Sequence, residues 1–136
     1  MLAPALTEAE RYLPTIIAKA PVAFFALDSK GTFTLSEGRA LEKLGARPGE
    51  FVGQSAFDRY RKYPHVLDEI RRALSGEEFS TVSELADRGL TFENHWAPVR
   101  DEDGRLIGTT GVSIDISDRR NDEKARREAE TLYLSL

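Results

Sequence analysis

The stretch between Phe79 and Ile116 constrains the fold more than any other part of the chain. It holds three segments, 79–85, 90–99 and 105–116, that read as β-strands. Arg88-Gly89 marks one turn between them and Asp101-Glu102-Asp103-Gly104 the other. The last two strands are therefore expected to form a long antiparallel hairpin, because a parallel return needs a crossover of about a dozen residues or more. Upstream, residues 22–27 form a short apolar run that ends in Asp28-Ser29-Lys30-Gly31. That pattern reads as a strand and a turn, with 32–35 as the hairpin partner.

Between these strand groups the periodicity changes. Residues 37–44 have helical apolar spacing, with Gly45 placed to end the turn. Pro48-Gly49-Glu50 opens another short helical turn, closed near Gly53. Residues 64–74 read as the main central helix: Val66, Leu67, Ile70, Ala73 and Leu74 recur at three and four, Pro64 suits the first turn, and Gly76 suits the end.

Helices are also expected at both termini. In residues 1–20, Leu6, Ala9, Leu13, Ile16, Ile17 and Ala20 fall near one face. Thr7 and Glu10 fit a capping box, and Pro14 predicts a kink or a fresh start. In 117–136, Ala125, Ala129, Leu132 and Leu136 form a heptad-like seam on an otherwise charged helix. The expected fold class is α+β: a five-stranded antiparallel sheet with short helices on one face, flanked by N- and C-terminal helices. The second face of the sheet is left for a terminal helix or a second chain to cover.

Composition narrows the chemistry. With 136 residues, 40% of them apolar, the chain supports one modest core. No cysteine is present, which removes disulfides, thiolate metal sites, Cys nucleophiles and cysteinyl photo-adducts. The net charge of −4 gives no basic footprint for nucleic acid, and two histidines do not make a His-rich metal centre. No signal-peptide pattern or apolar run long enough to cross a bilayer is seen. Tyr60-Arg61-Lys62-Tyr63 reads as a solvated loop, and no Ser/His/Asp set or glycine-rich phosphate loop is present at motif spacing.

Over roughly residues 10–120 the chain resembles a PAS sensory domain. Ala23-Phe24-Phe25-Ala26-Leu27-Asp28 followed by Gly31-Thr32-Phe33-Thr34 is similar to the opening hairpin of that family. Leu41–Gly45, Pro48-Gly49-Glu50 and Val52-Gly53 resemble its short-helix segment. Trp96-Ala97-Pro98-Val99-Arg100-Asp101 with Gly104, Gly108 and Gly111 is similar to its closing hairpin. Asp115-Ile116-Ser117 resembles the Asp-x-Thr/Ser junction that leads into a signalling helix. One departure is Leu35-Ser36-Glu37-Gly38-Arg39, where such domains often carry an Asn. There Glu37 and Arg39 are read either as a salt bridge, as the lining of a polar ligand, or as a solvated helix start.

The resemblance implies a non-enzymatic sensor and dimerisation module of a cytoplasmic signalling protein, a histidine kinase or a cyclic-dinucleotide enzyme. Its output domain would lie elsewhere in the same polypeptide. It divides the chain into a capping helix region at 1–20, a core at 21–117 and a signalling helix at 118–136 that reads as truncated. Phe25, Leu35, His65, Ile70, Leu74, Leu85, Asn94, Trp96 and Gly111 are the candidate pocket residues, and Asp115, Ile116 and Ser117 the candidate relay. Leu13, Ile16, Ile17, His95, Val112, Ile114, Ala125, Ala129 and Leu132 are the candidate contacts of a homodimer.

Two of these positions, and the aromatic set, carry rival readings. His65, near the start of the central helix, is placed like the axial histidine of haem-binding members, but also reads as a solvated or capping helix-start histidine. Leu85 cannot hydrogen-bond an iron-bound oxygen. Gly111 either lets a ligand approach the backbone or makes room for Trp96. The aromatic residues, Phe24, Phe25, Phe33, Phe51, Phe57, Phe79, Phe92 and Trp96, either line a cavity for a small molecule or simply fill the core. The cofactor is left unknown: haem or another small molecule fits the resemblance, and a covalent flavin photo-adduct does not.

Overall fold

A computed structural model describes residues 3–136, with side chains from residue 8 onward. The chain runs α1 (Ala3–Lys19), β1 (Val22–Asp28), β2 (Phe33–Glu37), a 3₁₀ helix (Arg39–Leu44), α2 (Ala56–Arg59) and α3 (Pro64–Leu74). It continues through β3 (Phe79–Leu85), a 3₁₀ turn (Ala86–Arg88), β4 (Leu90–Arg100), β5 (Leu106–Asp115) and α4 (Ser117–Leu134). The five strands form one antiparallel sheet in the order β2-β1-β5-β4-β3.

Turn chemistry sets the strand ends. Asp28 Oδ1 accepts the Lys30 and Thr32 N–H groups at 2.9 and 3.0 Å, closing the β1–β2 turn. Asp101 Oδ1 does the same for Asp103 and Arg105, both at 2.9 Å, between β4 and β5. Pro64 opens α3, and its buried face is Val66, Glu69, Ile70 and Ala73. Gly45 ends the first 3₁₀ helix in the left-handed conformation, as expected.

Two expectations for α1 are corrected. The helix starts by Ala3 and runs on through Pro14, with no fresh start there. Thr7 therefore lies a turn inside the helix and cannot cap it. The Thr7 and Leu6 side chains lie outside the described residues.

The core lies between one sheet face and the helical segment 39–74. It includes Leu27, Phe33, Leu41, Phe51, Ile70, Leu85, Phe92 and Trp96. Because β1 pairs with β5, Val22 sits opposite Ile114. The end of α1 and the start of α4 thus leave the sheet at the same end. No helix among the described residues is long and apolar enough to cross a membrane.

Candidate functional site

A cavity of about 80 Å³ lies between the sheet and the helical segment. Its walls include Phe25, Ile70, Leu85, Asn94 and Trp96, five of the nine pocket residues expected from sequence. Their placement follows from strand alternation: Phe92, Asn94 and Trp96 share the inner face of β4, while His95 faces outward and is half-exposed.

The other four expected residues are elsewhere. Leu35 is 39% exposed, because a bulge at the Ala26/Leu27 register step turns β2 over. Phe33 and Ser36 point inward instead, with Leu35 between them on the outside. His65 is exposed, with Nε2 donating to the Glu84 carbonyl oxygen at 2.8 Å. That nitrogen is engaged, and His65 is not among the residues that line the cavity. Leu74 sits at the core margin near Gly31.

Gly111 is covered by an aromatic ring. A Cβ there would lie 2.6 Å from Phe25 Cζ and 2.4 Å from the His95 carbonyl oxygen. The missing side chain therefore makes room for the Phe25 ring, which meets Trp96 edge-on at 4.8 Å between centroids. Phe79 stacks on Trp96 at 6.0 Å, completing an aromatic row across the sheet. Among the described residues it is the Phe25 ring, rather than the Trp96 ring, that takes this space.

Sequence reading named Asn94 at the polar end of the cavity but missed Glu69. Glu69, on the buried face of α3, accepts hydrogen bonds from the Thr81 and Ser83 hydroxyls. Asn94 Nδ2 donates to Ser83 Oγ at 2.8 Å, and Ser113 Oγ donates to Asn94 Oδ1 at 2.6 Å. Register explains the alignment: Thr81, Asn94 and Ser113 are direct neighbours across β3, β4 and β5. A legible signal existed, since Glu69 falls at the apolar spacing of Val66, Ile70 and Ala73. Tyr60 was also missed. It lines the cavity, and burial raises its phenol pKa. Tyr63 donates to Asp87 at 2.6 Å in an exposed bond; in this turn Arg61 and Lys62 are exposed, as expected of a solvated loop, while Tyr60 and Tyr63 pack in part against the core.

At the start of α4, the expected relay residues are tied to the rest of the domain. Asp115 Oδ1 accepts the Ser117 N–H at 2.9 Å. Its other oxygen lies 2.5 Å from Lys43 Nζ, on the 3₁₀ helix whose Leu41 and Leu44 wall the cavity. Burial pushes the Asp115 carboxyl up, but Lys43 and the Ser117 hydroxyl and amide outweigh it and hold the pKa below the usual carboxylate value. The paired Asp115 carboxylate in turn raises the Lys43 ammonium. Ser117 Oγ accepts the Thr91 N–H at 2.9 Å, and the Ile116 N–H donates to the Thr91 carbonyl at 2.9 Å.

The dimer candidates are uncovered in the isolated chain. Leu13 and Ile16 are 47% and 57% exposed, and Ile17 is half-buried. His95, Val112 and Ile114 are half-buried on the outer sheet face, and Ala125, Ala129 and Leu132 are exposed on α4. Glu37 and Arg39 make no ion pair with each other among the described residues.

Residues 17–121 match the family model described as the PAS fold, and the chain belongs to that family. A search of curated protein sequences finds no match. Among solved structures, the chain is similar to the sensor region of a sensor histidine kinase, with 21% identity and a TM-score of 0.59. That similarity covers 72% of this chain and 40% of the kinase-region chain. It is similar to the PAS domain of histidine kinase ThkA, at 17% identity and TM-score 0.54, over 69% of this chain and 98% of that one. It is also similar to Vibrio cholerae VqmA, at 17% identity and TM-score 0.62, over 80% of this chain and 52% of that one. The chain is a PAS domain.

Proposed function

We propose that this domain senses a small molecule in its internal cavity and passes the change to an output domain through α4. The observation that carries this reading is the Lys43–Asp115 ion pair. It joins the helical segment that walls the cavity to the first residues of α4. A shift of the 3₁₀ helix on ligand entry would move Lys43, and Asp115 would carry that displacement to the Ser117 amide. In this reading residues 1–20 cap the domain, 21–117 sense, and 118–136 signal.

The active unit is a homodimer in the cytosol. Exposed apolar residues on α1 and the Ala125–Ala129–Leu132 seam of α4 would meet their counterparts in a second copy. The output domain, in the same polypeptide, is a histidine kinase or a cyclic-dinucleotide enzyme. The domain itself has no catalytic role.

Cross-linking tests the proposal. Single cysteines introduced at 125, 129 and 132 should give disulfide-linked dimers whose yields change when the cavity is perturbed. No dimer contact along 118–136 under any condition would overturn it.

A further inference from the structure

The hydrogens of the polar cluster at the cavity wall are almost all spoken for. The Thr81 and Ser83 hydroxyls point to Glu69, and the Ser113 hydroxyl points to Asn94. Asn94 Nδ2 donates to Ser83 and, at 3.4 Å, reaches Thr81. What remains is acceptor capacity, because each carboxylate oxygen offers about two lone-pair sites and each Glu69 oxygen has one protein donor.

Glu69 is also without a counter-charge. Its residue is 9% exposed, and among the described residues no Lys, Arg or His nitrogen lies within 4.0 Å of it. A carboxylate buried at an apolar cavity is costly unless donors surround it. The other wall residue with unspent capacity is Trp96, whose buried indole N–H has no hydrogen-bond partner. The cavity volume of about 80 Å³ sets the scale. On this measure a water needs about 10–15 Å³, so the space suits several waters or one small ring rather than a haem, flavin or acyl chain.

We propose, resting on the reading of this cavity as the sensory site, that it selects a small single-ring ligand bearing an N–H donor, neutral or cationic. The donor meets Glu69 beside Asn94, and the apolar ring edge lies against Ile70 and Leu85. Acceptor-only and anionic molecules of the same size bind more weakly: they can take the Trp96 indole N–H but meet the Glu69 carboxylate with no hydrogen to offer.

Pyrrole and furan are a matched pair for the test, one with a ring N–H and one with a ring oxygen. Each is titrated into the 1–136 domain and followed by ¹H–¹⁵N NMR at Ser83, Asn94, Ser113 and the Trp96 indole. Pyrrole is expected to bind about tenfold more tightly than furan, the order given by one hydrogen bond to a charged acceptor. Glu69→Gln, which removes the charge and brings amide N–H donors to the cavity, should abolish that preference by weakening pyrrole and tightening furan. Equal or tighter furan binding to the wild-type protein overturns the donor class but leaves the sensory cavity standing. That wild-type order decides the matter even if Glu69→Gln fails to fold. If neither probe moves any cavity signal of the folded protein, both the donor class and the sensory-cavity reading fall.

Discussion

Removing the Asp115 carboxylate by Asp115→Ala should destabilise the domain by about 1.5 kcal/mol. Two losses make up the figure. The Ser117 N–H, at the start of α4, loses its carboxylate acceptor, a hydrogen bond worth about 1 kcal/mol net. The Lys43 pair adds about 0.5 kcal/mol, because the Lys43 side chain is 47% exposed and water screens it. For 136 residues this lowers Tm by roughly 4–8 °C at pH 7, read by circular dichroism. Asp115→Asn keeps an oxygen for Ser117 but drops the charge, so it should lose only about a third as much. The pH dependence follows from the lowered folded pKa. The carboxylate contributes fully above its unfolded value, about 3.9, and the contribution is lost as pH falls through the folded value. The gap between wild type and Asp115→Ala should therefore hold from pH 8 to 5 and shrink below about pH 4. A variant melting within about 1 °C of wild type at pH 7 would refute the reasoning, as would a gap that persists undiminished into strong acid.

Other substitutions test the packing. Ile70→Ala removes a side chain 1% exposed at the cavity wall and should cost about 3 kcal/mol in urea unfolding while enlarging the cavity. Gly111→Ala would place a Cβ 2.4 Å from a carbonyl oxygen that cannot swing away, and should cost about 3 kcal/mol with loss of the Phe25–Trp96 contact in near-UV circular dichroism. His65→Ala should shift Tm by less than about 1.5 kcal/mol equivalent and leave cavity NMR signals in place, since the side chain holds one exposed carbonyl contact.

Elements were more legible than facings. The 64–74 helix was expected with the bounds found, because its apolar spacing, its opening Pro64 and Gly76 beyond its end all agree. The 79–85 strand was read within its observed bounds for a similar reason. Leu35 was misplaced because alternation from Phe33 puts it inside, and a bulge leaves no mark in composition. His65 was ambiguous because a helix-start position fixes the backbone but not which way the ring turns. Glu69 went unread because a carboxylate among apolar positions looks like an edge of the polar face. It is held inside only by Thr81 and Ser83, on a strand whose pairing the local sequence does not specify.

Transmission from the cavity to α4 is the central claim, and it can be measured directly. Ile70→Val trims one methylene from the cavity wall. The amide signals of Ser117 to Arg120 are then compared by ¹H–¹⁵N NMR in the wild-type background and in Lys43→Met. Clear shifts at these amides in the first background, and their loss in the second, are the predicted result. Shifts of equal size with Lys43→Met would show that the ion pair does not carry the change. No shift in either background would contradict the coupling itself.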